Sequence, residues 1–171
     1  IWMLGSTLAG AGIAASQGLR YAFAGHFAMR FARQAIAHYY AHFRPSAMLA
    51  EPEAILAVTV VCGEDDEHAR RLAAPLKLAV VRIRTGKAAP LASIEEALAY
   101  RFTPEEEAIA DDFLNGAAIG GPSLVRARLQ ELVDDTGADE IMLSTMIADP
   151  EVRMASYRRV AEAFSVSRPT A

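Results

Sequence analysis

Residues 54–61 read Ala-Ile-Leu-Ala-Val-Thr-Val-Val, a nearly unbroken apolar and β-branched run. Such a strand has no polar side to turn toward water, so both its faces must be covered, as in a parallel sheet flanked by helices. Ile1-Trp2-Met3-Leu4, Tyr21-Ala22-Phe23-Ala24 and Ile141-Met-Leu-Ser-Thr145 are shorter runs of the same character. Segments of helical periodicity lie between them. The alternation predicts an α/β protein with a parallel sheet and right-handed crossovers.

The helical segments carry their own punctuation. An alanine-rich stretch ends at Gln17-Gly18, where a helix C-cap belongs. Over residues 29–43, Ala32, Ile36, Tyr39, Tyr40 and Phe43 share one face, and Arg44-Pro45 ends the helix. Gly63-Glu64-Asp65-Asp66 opens the next with negative charge, which the helix dipole favours. Its stripe is Leu72, Leu76, Val80 and Ile83, and Pro75 within it predicts a kink or a break. From 85 to 101 the pattern dissolves into a long excursion. Thr103-Pro-Glu-Glu106 is a capping box, and that helix ends at Asn115-Gly116. Gly121-Pro122 opens another, with Val125, Leu129, Leu132 and Val133 inward and Gly137 as C-cap. Asp149-Pro150 opens the last, with Met154, Tyr157, Ala161 and Phe164 inward, and residues 165–171 read as a flexible tail.

The chain has 171 residues, one domain by length, and a formal charge of −4 with no basic stripe, so nucleic acid is not expected as a partner. Cys62 is the only cysteine, which excludes an internal disulfide and fits a reducing cytoplasm. No metal-ligand spacing occurs. His38 and His42 are four apart but have no carboxylate at a useful distance, so they read as a solvated helix face. Residues 1–19 carry no charge, as a membrane span would. Their Gly, Ala, Ser and Thr content and Gln17 make transfer into lipid weak, and no basic n-region precedes them, so neither a span nor a signal peptide is expected.

Gly5-Ser6-Thr7 joins the first strand to the alanine-rich helix. Small residues at a helix N-terminus leave N–H groups that suit a phosphate, although the local residues equally allow a plain structural turn. The run of units starts within a strand, which predicts the second half of something larger.

Leu4-Gly5-Ser6-Thr7, Gly10, Ala14-Ala15, Gly18-Leu19, Tyr21-Ala22-Phe23-Ala24 and His26-Phe27 resemble the bacterial-luciferase-like flavin monooxygenases, in particular the alkanal-monooxygenase-type oxidoreductases. Later segments agree in the family's order: YYAHFRPS ending at Ser46, DDEHARRL ending at Leu72, Gly120-Gly-Pro-Ser-Leu-Val125 and Thr136-Gly-Ala-Asp-Glu-Ile-Met142. The resemblance implies the C-terminal half of a (β/α)8 TIM barrel, units five to eight, as a single partial domain over 1–171 with a late inserted helical segment at 85–115. A half barrel leaves two strand edges and an apolar interior open, so pairing with a missing N-terminal half, or a homodimer, is expected.

In such barrels the site lies at the C-terminal ends of the strands. That rule selects Gly5, Ser6 and Thr7, then Gly25 and His26, then Cys62, then Ser144 and Thr145. The resemblance implies that the turn after the family's fifth strand holds the flavin phosphate, which maps onto Ser6 and Thr7, with Gly5 allowing close approach. A third phosphate hydroxyl of luciferase itself maps to Gly10, which has none. His26 would stand at the mouth as a proton-transfer or hydrogen-bonding group, or simply position a loop; the main catalytic residues are expected in the missing half. Cys62 reads as a small buried hydrophobe, and Gly120-Gly121-Pro122 as a helix cap more than an anion site.

The implied activity is that of an FMN-dependent monooxygenase, with reduced FMN and O2 acting on an apolar carbonyl-type substrate and this piece inactive alone. Two alternatives stand beside it: an F420-dependent hydride-transfer enzyme, and a non-catalytic flavin-binding or structural half barrel.

Overall fold

The computed structural model describes residues 1–166. In chain order its elements are β1 (Trp2–Gly5), α1 (Leu8–Ser16), β2 (Arg20–Phe23), α2 (Gly25–Ala28), a 3-10 turn (Met29–Phe31), α3 (Ala32–His42) and β3 (Ala54–Cys62). There follow α4 (Asp66–Arg84), α5 (Ile94–Ala99), α6 (Pro104–Leu114), β4 (Ala118–Gly120), α7 (Pro122–Thr136), β5 (Glu140–Ser144) and α8 (Pro150–Ala163). They fall into two compact units, one of residues 1–59 and 129–144, the other of residues 60–128 and the chain from Thr145 onward.

In the first unit four parallel strands stand in the order β1, β2, β3, β5. Leu4 lies opposite Ala22, Ala22 opposite Ile55, and Val58 opposite Leu143. The α/β reading is therefore correct, with every sheet neighbour parallel. α1 owes its close packing to small residues: Ala11, Ala14 and Ala15 are fully buried, and Gly12 approaches the His38 ring of α3. The helix ends in a Schellman motif, with Gly18 N–H on the Ala15 carbonyl and Leu19 N–H on that of Ala14. Gly18 takes φ +60°, and a Cβ there would come within 2.6 Å of the Arg44 carbonyl oxygen. No other residue satisfies both conditions.

Polar side chains secure the N-terminal ends of these strands. The Arg20 guanidinium forms a two-pronged pair with the Glu53 carboxylate at 2.5 and 3.1 Å. Tyr39 donates to the Leu19 carbonyl at 3.0 Å and accepts the Glu53 N–H at 3.1 Å. The Asp139 carboxylate accepts from the Tyr40 hydroxyl at 2.6 Å and from the Ala54 N–H at 2.8 Å.

In the second unit the last residues of β3 pair with β4, Val60 opposite Ala118 and Cys62 opposite Gly120. One apolar cluster gathers Val61, Leu72, Leu76, Val80 and Ile147, and another Leu78, Ala92 and Ala97. α4 thus buries two faces, not one stripe. Ile83, expected inward, is 62% exposed, while Leu78 and Val81 are buried in its place. α4 runs unbroken through Pro75.

Other differences have local causes. α5 and β4, of six and three residues, are too short to show a period; α5 lies inside the excursion expected at 85–101, and β4 runs up to the helix entry expected at Gly121-Pro122. The helix expected from residue 29 begins as a 3-10 turn and becomes α-helical only at Ala32. β1, expected to be buried, is an edge: among the described residues it pairs only with β2, leaving Trp2 42% and Leu4 67% exposed. The inward face of α8 is Ser156 and Val160, whereas Met154 is half exposed. Most of the expected tail, residues 167–171, lies outside the described residues, while Ser165 and Val166 close α8 with N–H bonds to the Glu162 and Ala161 carbonyls.

Ser156 explains why a polar residue faces that core. Its hydroxyl accepts the buried Cys62 N–H at 2.8 Å, at the point where β3 ends. Ser156→Ala strands that N–H and is expected to cost about 1–3 kcal/mol, read as a lower urea midpoint. An unchanged midpoint would show that Cys62 N–H finds another partner.

Candidate functional site

The parallel register brings the C-terminal ends of β1 and β2 side by side. The Ala24 N–H donates to the Gly5 carbonyl at 2.8 Å, so Gly5-Ser6-Thr7 and Gly25-His26 emerge next to each other from adjacent strands. Ser144 closes β5 in the same unit, opposite Thr59. Cys62 and Thr145 belong to the second unit.

Thr7 is the N-cap of α1: with extended backbone, its Oγ1 accepts the Gly10 N–H at 3.2 Å. That bond uses an oxygen lone pair and leaves the hydroxyl proton available to a ligand. Among the described residues the Ser6 hydroxyl meets no hydrogen-bond partner. The N–H groups of Leu8 and Ala9, in the first turn, have no intrahelical acceptor. No acidic side chain occupies that turn, so nothing there repels an anion.

Tyr21 supports the turn from below. Its ring is fully buried and its hydroxyl donates to the Thr7 carbonyl at 3.3 Å. Burial pushes that phenol up to about 12, so it remains a donor at any physiological pH. Gly5 and Gly10 are not demanded by packing: a Cβ at either would meet the protein only at ordinary van der Waals distance, 3.5 Å or more. Two hydroxyls, unpaired amides, small residues and a helix dipole free of acids fit a phosphate group. The residues present therefore suit the phosphate end of a flavin nucleotide.

Gly25 is required by close approach, since a Cβ there would stand 2.5 Å from the Ala57 carbonyl oxygen. It holds the next residue, His26, against the sheet. The His26 ring packs on Phe27, centroids 4.1 Å apart, and its Nδ1 is buried with no hydrogen-bond partner. Desolvation lowers its pKa below the ordinary 6.5. His26 is thus a neutral imidazole at pH 7 with one unmade hydrogen bond, beside a Phe27 ring that is 69% exposed. A buried nitrogen of this kind is stabilised by any rearrangement that brings it a partner.

The remaining sequence candidates resolve differently. The Cys62 thiol is fully buried, and burial holds it protonated, only partly offset by the nearby Arg159 charge. That leaves a packing residue, not a nucleophile. The Gly121 N–H at the entry to α7 is taken at 2.7 Å by the Asp66 carboxylate, an internal partner where an external anion would otherwise sit. Two features of the site were not legible in sequence: Tyr21 as the anchor of the turn, and Asp66 as the occupant of the α7 entry. An aromatic inside an apolar run and an acid in a helix's first turn each have a sufficient local explanation.

Comparison with known proteins gives concordant findings. The family model for luciferase-like monooxygenases matches residues 1–140. A luciferase-like monooxygenase of Escherichia coli (strain K12) is 32% identical over 157 residues, 92% of this chain and 47% of that protein. The uncharacterized protein YceB of Bacillus subtilis (strain 168) is 34% identical over 165 residues, 96% of this chain and 50% of its own. Among solved structures, apo-MsnO8 superposes with a TM-score of 0.89 at 34% identity, covering 97% of this chain and 51% of that one. The oxygenating constituent of 3,6-diketocamphane monooxygenase from Pseudomonas putida, in complex with FMN, has a TM-score of 0.59 at 15% identity over 99% of this chain and 49% of its own, a likeness of fold. The chain spans about half the length of the curated relatives it matches.

Burial of His26 makes a prediction about its titration. Its folded pKa lies below the unfolded value, so the unfolded chain binds the proton first and this group lowers stability as pH falls through about 6.5. The Hε1 resonance of His26 is expected to titrate with a midpoint below 6.5; a midpoint at or above that value would mean that the ring is solvated or paired with an acid.

Proposed function

The chain belongs to the luciferase-like monooxygenase family, and from that premise we propose that it is the cofactor-phosphate-binding part of a flavin-dependent monooxygenase acting on an apolar carbonyl-type substrate. The observation that carries this reading is the β1–α1 turn, which gathers two hydroxyls with available protons at an acid-free helix N-terminus. FMN is the proposed cofactor. When bound, it supplies the activation of O2 that no side chain here can perform.

The chain's own residues have definable tasks. Ser6 and Thr7 donate hydroxyl protons to the phosphate, Leu8 and Ala9 present amides to it, and Gly5 keeps the approach clear. Tyr21 fixes the carbonyl of Thr7 and so the pitch of the turn. His26, neutral and lacking a partner at Nδ1, holds or passes a proton at the mouth, with Phe27 offering an apolar wall. Removing water from such a site strengthens each of these hydrogen bonds.

The same reading takes the four parallel strands as units five to eight of a (β/α)8 barrel, with residues 85–115 as its inserted segment. Two features support it: β1 and β5 each have one bare edge among the described residues, and the chain covers about half of each relative. The edges would be closed by the other half of the barrel, and oxidation would need both halves. Among the described residues no helix is long and apolar enough to cross a membrane.

Riboflavin, which lacks the phosphate, tests the assignment directly. FMN is expected to bind more tightly than riboflavin by about tenfold or more, the value of charge-assisted hydrogen bonds, read by quenching of flavin fluorescence. Ser6→Ala together with Thr7→Ala should erase the difference. Thr7→Asn, which keeps the helix cap, separates loss of the site from loss of the helix. Equal affinity for the two flavins would overturn the phosphate assignment.

A further inference from the structure

In the first unit α1 and α3 pack side by side, and a hollow of about 450 Å3 opens between their C-terminal halves. Gly12 and Ser16 of α1 border it on one side, His38 and His42 of α3 on the other, and Arg44 follows the end of α3. No aspartate or glutamate lines it.

The two histidines stand one helical turn apart and share a face of α3. Their rings stack with centroids 4.1 Å apart and planes inclined by 32°. The His42 Nδ1 lies 2.9 Å from the His38 carbonyl oxygen. A carbonyl only accepts, so Nδ1 carries the proton and Nε2 keeps its lone pair. A backbone carbonyl in that position is what orients a metal-bound imidazole. Among the described residues no hydrogen bond reaches the ring nitrogens of His38. Gly12 faces its Nε2, and a Cβ there would stand 3.3 Å from that nitrogen, so the missing side chain leaves it uncovered. As sequence, the pair reads as a solvated helix face for want of a carboxylate. The structure adds the bond that fixes the His42 tautomer and the glycine that uncovers His38.

The charges around the hollow sort the ions it can hold. The C-terminal halves of two helices border it, and the helix dipole favours a cation at that end. Mg2+ and Ca2+ require oxygen donors such as carboxylates, which the lining lacks. Arg44 adds like charge, which opposes an ion held by electrostatics alone. Ions that form directed bonds to imidazole are Cu2+, Ni2+ and Zn2+.

We propose that His38 and His42 bind one divalent transition-metal ion through their Nε2 atoms, Cu2+ most tightly, with water completing its coordination. Two nitrogens that share an ion at about 2.0–2.1 Å each stand roughly 3–4 Å apart. Rings stacked at 4.1 Å need only a small rotation to reach that spacing. The site goes beyond the flavin reading and shares no residue with the Gly5-Ser6-Thr7 turn, which lies at the other end of α1.

Titration of the whole chain with CuCl2, NiCl2, ZnCl2 and MgCl2, followed by calorimetry and proton NMR, tests the proposal. Equimolar Cu2+ should broaden the Hε1 resonances of His38 and His42 ahead of those of His26 and His68. Its EPR spectrum should carry hyperfine splitting from two nitrogens. Cu2+ should bind more tightly than Ni2+ or Zn2+, and Mg2+ should not bind. His42→Ala and His38→Ala should each weaken Cu2+ by about tenfold or more, since one of two linked donors is lost. His68→Ala should leave the affinity unchanged. If His38→Ala does not fold, the broadening map of the unaltered chain decides the matter. No saturable binding of Cu2+, equal binding of Mg2+, broadening confined to His26, His68 or the Ile1 amine, or full Cu2+ affinity in a folded His42→Ala variant would each overturn it.

Discussion

The burial of β3 is the constraint on which the rest of the structure depends. All nine of its residues are buried, and Thr59 is the one polar side chain among them. Burying each large aliphatic side chain is worth about 1.5–3 kcal/mol, but only if the strand's amides and carbonyls also find partners out of water. β2 and β5 supply them along its first part and β4 at its last three residues. Helices must then cover what the strand cannot expose. Leu72, Leu76 and Val80 of α4 answer that demand at Val61, while the alanines of α1 pack beside β1 and β2 and α3 beside β2.

A parallel sheet has two unlike ends, and this chain treats them differently. At the N-terminal ends an arginine–glutamate pair, two tyrosine hydroxyls and the Asp139 carboxylate satisfy one another and the backbone. At the C-terminal ends of β1 and β2 the polar groups are left unfinished: the Ser6 hydroxyl, the free proton of Thr7 and the His26 Nδ1. Ser6 and Thr7 are open to solvent, whereas the His26 Nδ1 is buried, and an unmade hydrogen bond at a buried atom costs stability. The concentration of these groups at the end where helices begin is consistent with a ligand that completes them. Tyr21 joins the two ends physically, since its ring is core and its hydroxyl supports the Thr7 turn.

Sequence reading succeeded where the signal was a local stop or a long period. The Gly18 cap, the Thr103–Glu106 capping box, the acidic opening of α4 and the continuous strand read at 54–61 all rest on chemistry within a few residues. It failed where the deciding neighbour was distant. The second buried face of α4 exists because residues 92–102 pack on it, and the choice of Ser156 over Met154 on α8 exists because β3 ends there. Of the site, the turn and the histidine were legible, since small residues between a strand and a helix have a known meaning. The anchor from Tyr21 and the capture of Gly121 by Asp66 were not, because each joins residues far apart in the chain.

The sequence by itself determined that this chain makes a parallel α/β sheet, where its principal strands and longer helices lie, and which family it resembles. Those properties follow from hydrophobic period, capping chemistry and residue order, all of which are written along one dimension. Only the tertiary structure decided which strands are edges, which helix faces meet a core, which hydroxyls are spent on the backbone and which remain available. These depend on who stands next to whom after the chain has crossed over. A hydrogen-bond partner or a covering side chain brought from fifty residues away leaves no local trace at the residue it serves.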